Sequence, residues 1–96
     1  MYSCLIITSL ADGASVETIE GLTAGGRARL VQDALLDAGA VQCGFCTPGF
    51  VVSAVALLER PQLPDDEEIR RALAGNLCRC TGYARIVDAV SRASRR

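Results

Sequence analysis

The sequence predicts an all-α protein, a small four-helix bundle preceded by a short strand-containing segment. Three observations predict it. From Gly25 onward, apolar residues recur at three- and four-residue spacing in four stretches, each bounded by a helix start and a helix stop signal. Half the residues are hydrophobic, yet only two Tyr and two Phe are among them and there is no Trp, so the interior must be built from Ala, Val, Leu and Ile. Four of the five cysteines form two tight pairs, Cys43-x-x-Cys46 and Cys78-x-Cys80, and each pair is followed at once by helix-starting residues, Thr47-Pro48 and Thr81-Gly82.

Residues 1–22 read differently from the rest. Asp12-Gly13 predicts a turn, and the β-branched run Val16-Glu17-Thr18-Ile19 predicts a strand after it. No partner strand is evident. A lone short strand is unstable, so this segment reads as the edge of something larger.

The first helix is expected from about Arg27 to Ala38, with Leu30, Val31, Ala34 and Leu35 on one face and Gly39 as its stop. The second opens with Thr47 as N-cap and Pro48 at the first helical position, where the missing N–H costs nothing. It runs through Phe50, Val51, Val52, Val55, Leu57 and Leu58 until Glu59-Arg60-Pro61. Because it is apolar nearly all round, it should be the central, most buried helix. Asp65 and Glu68 form a D-x-x-E capping signal for the third helix, whose inner face would be Ile69, Ala72, Leu73 and Leu77, with Gly75-Asn76 as the stop. The fourth takes Thr81 as N-cap and carries Tyr83, Ile86, Val87, Val90 and Ala93 at helical spacing. The simplest packing of two successive helix–cysteine-pair–helix units brings both cysteine pairs to one end of a bundle.

Bulk properties remove several function classes. Ninety-six residues make one small domain in which a metal matters to stability. The formal charge of −1, without a basic stripe, argues against a nucleic-acid partner, and the Arg-rich end from Arg92 to Arg96 reads as a solvated tail. Without any histidine there is no Cys-His zinc finger, no His-ligated Rieske cluster and no His-based triad on this chain. The run from Cys4 to Leu10 is too short and broken for a signal peptide, and no stretch is long enough to span a membrane. The expected compartment is the cytoplasm, where clustered cysteines hold metals more often than they form disulfides.

Four thiolates from two fixed loops, each beside a helix N-terminus, are what a [2Fe-2S] cluster requires. Helix N-termini present unpaired N–H groups and the positive end of the macrodipole to an anionic centre. Gly44 and Gly82, beside the cysteines, let backbone amides approach sulfur closely. A four-cysteine zinc centre, stabilising a protein-interaction module, is the alternative. It usually takes two C-x-x-C hooks, and the C-x-C here is tighter. Disulfides fit less well, given the odd number of cysteines.

The stretches Gln42-Cys43-Gly44-Phe45-Cys46-Thr47-Pro48-Gly49-Phe50 and Gly75-Asn76-Leu77-Cys78-Arg79-Cys80-Thr81-Gly82-Tyr83 closely resemble the iron–sulfur subunit of the molybdenum hydroxylases, the relatives of xanthine dehydrogenase, aldehyde oxidoreductase and carbon monoxide dehydrogenase. The resemblance covers most of the chain. It implies that residues 23–96 are the helical [2Fe-2S]-binding domain of such a subunit, with Cys43, Cys46, Cys78 and Cys80 as ligands. It implies that Gln42 contacts the pyranopterin of a partner, and that the surroundings of Cys80 form the side where electrons enter. It further implies a large molybdopterin-binding subunit and an FAD-binding subunit as partners, and an electron-relay role within an oxidoreductase whose substrate chemistry lies on the large subunit. No acid–base or nucleophilic constellation for such chemistry is present on this chain.

Met1-Tyr2-Ser3-Cys4-Leu5 resembles the segment holding the last cysteine of a plant-type cluster, so residues 1–22 are expected to be a remnant of a plant-type ferredoxin domain. That cluster needs C-x₄-C-x₂-C as well, so Cys4 alone cannot hold it. Cys4 is then either a free thiol or a buried core cysteine. Tyr83 either lines the cluster or belongs to the core.

Overall fold

The chain stops and restarts its helices where the sequence places glycine, proline and short polar side chains. A computed structural model describes residues 3–96, with five α-helices: α1 (Ile19–Ala24), α2 (Arg29–Asp37), α3 (Thr47–Leu58), α4 (Asp66–Leu73) and α5 (Ala84–Ser94). Two 3₁₀ turns, Ser3–Leu5 and Thr8–Ala11, precede them. The protein is all-α as expected, but the described residues hold five helices rather than four and contain no strand. Where a strand was expected through Val16–Ile19, residues 14–18 are irregular and Ile19 opens α1. No strand pairs with this segment among the described residues, and its end instead feeds α1, where the Leu22 N–H bonds Thr18 O and Leu22 is buried. Met1 and Tyr2, the first residues of the stretch likened to a plant-type segment, lie outside the described residues.

Helix α2 ends in a complete Schellman motif. Gly39 adopts a left-handed φ of 59°, the Ala40 N–H donates to Leu35 O at 2.9 Å, and the Gly39 N–H donates to Leu36 O at 3.0 Å. Helix α4 begins with the expected capping box. Asp65 Oδ1 accepts from the Glu68 N–H at 2.8 Å, and Glu68 Oε2 accepts from the Asp65 N–H at 3.1 Å. Acidic Asp66, Glu67 and Glu68 sit in its first turn and basic Arg70 and Arg71 in its last, the arrangement that complements the helix dipole.

Helix α3 is the centre of the fold, packing against α1, α2 and α4, while α5 packs against α2 and α4. Phe50, Val51, Ala54, Val55 and Leu57 of α3 are buried. They meet Val31 and Leu35 from α2, Ile69 and Leu73 from α4, and Ile86 and Val90 from α5. Each of the Val, Leu, Ile and Phe side chains contributes about 1.5–3 kcal/mol on burial. Two residues expected inside are not. Leu30 is exposed, and Leu77 is 75 % exposed because α4 ends at Leu73 and leaves it in the loop of the second cysteine pair. Arg27 ties the start of the chain to the far end of α3 by bonding both Glu17 and Glu59. Among the described residues no helix is long and apolar enough to cross a membrane.

Candidate metal centre

Two loops meet at one end of the helices. The first leaves the Schellman stop of α2 and carries Gln42, Cys43, Gly44, Phe45 and Cys46, with Cys46 as the N-cap residue of α3. Gly44 holds a φ of 80°, a conformation that disfavours any side chain, and its carbonyl accepts the Thr47 N–H at 3.2 Å. The second loop runs from the end of α4 through Cys78 and Cys80 to α5. Two successive left-handed residues, Gly82 at φ 69° and Tyr83 at φ 71°, bring it into α5.

The helix starts differ in detail from expectation. The N-cap of α3 is Cys46, not Thr47, so Pro48 is the second helical residue. The N-cap of α5 is Tyr83, not Thr81. Thr81 is withdrawn from capping because its hydroxyl is engaged elsewhere, lying 3.1 Å from Cys78 Sγ and accepting the Tyr83 N–H at 3.3 Å.

The thiols meet across the loops rather than within them. The Cys80 thiol donates to Cys43 Sγ at 3.5 Å, and Cys46 and Cys78 lie close enough to perturb each other's ionisation. Cys78 is buried, Cys46 half-buried, and Cys43 and Cys80 exposed. In each pair one thiol is acidified and its partner is not. The Thr81 hydroxyl, then the Thr81 and Cys80 amides, bring Cys78 down to about 7, while burial first and Cys78 second push Cys46 up to about 11. The Phe45 amide, with the Cys80 thiol, lowers Cys43, and donating that bond raises Cys80. Each pair thus combines one thiol shifted towards the thiolate with one whose ionisation is disfavoured.

This donor set suits a two-iron cluster. It is all sulfur, the preference of zinc or iron–sulfur centres. Among the described residues no three Cys, Asp or Glu side chains gather at the spacing of a single ion; the thiols meet two by two, and two pairs of thiolates are what two irons take. Cys4 stands apart as an exposed free thiol, which removes the core reading for it.

The loops are locked together by residues whose role has no local signature. Asn76 Nδ2 donates to Ser53 Oγ of α3 at 2.8 Å, and a Cβ at Gly49 would lie 2.7 Å from Asn76 Oδ1. Gln42 Nε2 donates to Cys80 O at 3.3 Å, and Arg85 Nη1 donates to Gly39 O at 3.4 Å. Tyr83 is exposed rather than part of the core, and it borders the second cysteine pair instead. Its hydroxyl accepts the Cys78 N–H at 3.0 Å, while its ring packs edge-on against Phe50 with centroids 6.3 Å apart. Gly49 and Asn76 are part of the sequence stretches singled out above, but helix-stop rules assign Asn76 a purely local role.

Residues 18–91 match the model of the [2Fe-2S] binding domain family. The chain is 48% identical over 94 residues to the nicotinate dehydrogenase small FeS subunit of Eubacterium barkeri, covering 98% of this chain and 60% of that protein. It is 50% identical over 90 residues to the xanthine dehydrogenase iron-sulfur-binding subunit of Escherichia coli O157:H7, covering 92% and 57%. Among solved structures, quinoline 2-oxidoreductase from Pseudomonas putida 86 superposes with a TM-score of 0.73 at 44% identity, covering 99% of this chain and 62% of that one. The chain therefore spans about 60% of the length of these relatives. These likenesses favour the two-iron centre over a zinc-stabilised module. Paired thiols at the meeting of two loops, and a family match that spans both loops, lead to one conclusion: the chain belongs to the [2Fe-2S] binding domain family.

Proposed function

We propose that this chain is the electron-relay part of a molybdenum-containing hydroxylase. Cys43, Cys46, Cys78 and Cys80 would hold one [2Fe-2S] cluster, and electrons would pass from a molybdopterin centre on a large partner subunit towards FAD on another. The observation that carries this reading is the cross-loop pairing of sulfurs, Cys43 with Cys80 and Cys46 with Cys78. Bound there, the cluster supplies one-electron oxidation and reduction, and substrate hydroxylation belongs to the partner.

The chain's own residues do three things for such a centre. They present thiolates, acidified at Cys43 and Cys78 by amides and by the Thr81 hydroxyl. They aim the N-terminus of α3 at the anionic site, with Cys46 as its N-cap. They also fix the distance between loops through Asn76, Ser53 and Gln42. A donor set built in this way holds its geometry through a change of charge, which keeps the reorganisation small.

The cluster end is also a docking face in this reading. Phe45, between the first two ligands, is 95 % exposed, and Leu77, Arg79, Cys43 and Cys80 are exposed beside it. Large apolar groups surrounding exposed sulfur mark a surface that a partner covers. Gln42, exposed and held by the Cys80 carbonyl, stands where a pyranopterin of the large subunit would meet the relay. The exposed Leu5, Ile7, Leu10 and Val16 support reading residues 1–22 as the edge of a neighbouring plant-type ferredoxin domain, with residues 23–96 as the helical one. The paired thiols suit the reducing cytoplasm.

The test is association. Co-expressed with a large molybdopterin-binding subunit and an FAD-binding subunit, the chain should co-purify with both, and substrate added anaerobically should bleach its visible absorbance. A chain that loads iron but neither associates with such subunits nor is reduced through them would contradict the relay role.

A further inference from the structure

Cys78 is the most heavily hydrogen-bonded of the four thiols, and one residue supplies two of its donors. Thr81 Oγ1 lies 3.1 Å from Cys78 Sγ, the Thr81 N–H donates to the same sulfur at 3.4 Å, and the Cys80 amide adds a third contact. The direction of the hydroxyl bond follows from chemistry. Thr81 Oγ1 already accepts the Tyr83 N–H at 3.3 Å, so its own hydrogen is free to donate. A metal-bound Cys78 carries no proton, so only the hydroxyl can be the donor. The other backbone donor nearby is diverted, because the Cys78 N–H goes to the Tyr83 hydroxyl at 3.0 Å rather than to sulfur.

We infer that Thr81 is a redox-tuning residue: its hydroxyl donates to the Cys78 sulfur and raises the reduction potential of the centre held there. The inference rests on the proposed role of Cys78 as a ligand. Hydrogen bonds to ligand sulfur favour the more negative charge state, which is the reduced one, and are among the factors that set the potential of such centres. The same hydroxyl explains why Thr81 does not cap α5. The loop gives up a helix cap (a common use of Thr at this position) to place an O–H against sulfur, and the left-handed Gly82–Tyr83 pair makes the turn that allows it. Thr81 therefore acts through Cys78 and is a positioning residue, not a ligand.

The experiment is a potentiometric titration of the loaded chain followed by electron paramagnetic resonance, on wild type, Thr81→Val and Thr81→Ser. Valine keeps the shape and the backbone N–H but removes the hydroxyl, and serine restores it. The expected result is a more negative midpoint potential for Thr81→Val and a return to the wild-type value for Thr81→Ser. Equal potentials for wild type and Thr81→Val, or a Thr81→Ser value shifted as far as that of Thr81→Val, would overturn the inference. Should Thr81→Val fail to retain its centre, the reduced wild-type protein still decides. Electron–nuclear double resonance after transfer to D₂O should show loss of a strongly coupled proton at hydroxyl rather than amide exchange rates, and its absence counts against the hydroxyl donor. A wild-type chain that loads no iron at all would overturn the ligand reading itself, an outcome distinct from an unshifted potential.

Discussion

Gly49 and Asn76 meet so closely that any side chain at position 49 would force Asn76 to shift. A Cβ there would lie 2.7 Å from Asn76 Oδ1, whose amide nitrogen is anchored on Ser53 at 2.8 Å. Gly49 lies three residues after Cys46 and Asn76 two before Cys78, so this contact helps set how near the two cysteine loops come. Gly49→Ala is expected to cost about 1–3 kcal/mol of stability and to impair loading of the centre. Gly75→Ala, with nothing within 4 Å of its added carbon, should be neutral or slightly stabilising. Urea denaturation of the two variants checks the contrast. Equal stability would show that the loops are not locked here.

Removing the Tyr83 hydroxyl leaves the buried Cys78 N–H without its partner. Tyr83→Phe should therefore cost about 1–3 kcal/mol, while keeping the edge-on contact with Phe50. Tyr83→Ala loses that contact as well and should be worse by more than the hydroxyl alone. Thermal melts of the loaded chain would reveal this ranking; a Tyr83→Phe variant as stable as wild type would show that the amide finds another acceptor.

The capping box of α4 lies away from the thiols, at the other end of the helix that feeds the second loop. Asp65→Ala should lower stability by about 0.5–2 kcal/mol without changing the visible spectrum of the loaded protein. A variant that loses colour in proportion to stability would mean that α4 and the loop unfold as one unit.

At the exposed end, Phe45→Ala should leave the spectrum intact and weaken association with the large subunit roughly thirtyfold, or about 2 kcal/mol, as expected for a buried aromatic anchor. Gln42→Ala should weaken it less, since the amide contributes a polar contact at the rim of the same face. Surface plasmon resonance against the isolated partner gives both numbers. Unchanged binding by Phe45→Ala would place the interface elsewhere.

Much of this architecture was legible because its signals are local. Helices α2 to α5 announce themselves by period, by Pro48, and by the Asp65–Glu68 pair, and the cysteine spacings announce a four-thiol site. Helix α1 was not legible, since Ile19–Ala24 makes under two turns and is too short to show a period. Leu77 looked internal only while α4 was allowed to run past Leu73. Thr81 carries the composition of a helix cap, and only the folded loop shows it facing sulfur instead. The pairing of thiols across the loops, like the Asn76–Ser53 bond, joins residues far apart in sequence, and no local pattern encodes which partner each will meet.

The central claim is that these four thiols together hold two irons. Anaerobically prepared from a cluster-competent host, the chain should contain about two irons and two labile sulfides. After dithionite it should show a paramagnetic resonance signal that Cys43→Ser, Cys46→Ser, Cys78→Ser and Cys80→Ser each abolish or alter, and that Cys4→Ser leaves untouched. A colourless, resonance-silent protein carrying zinc on the same cysteines would contradict it.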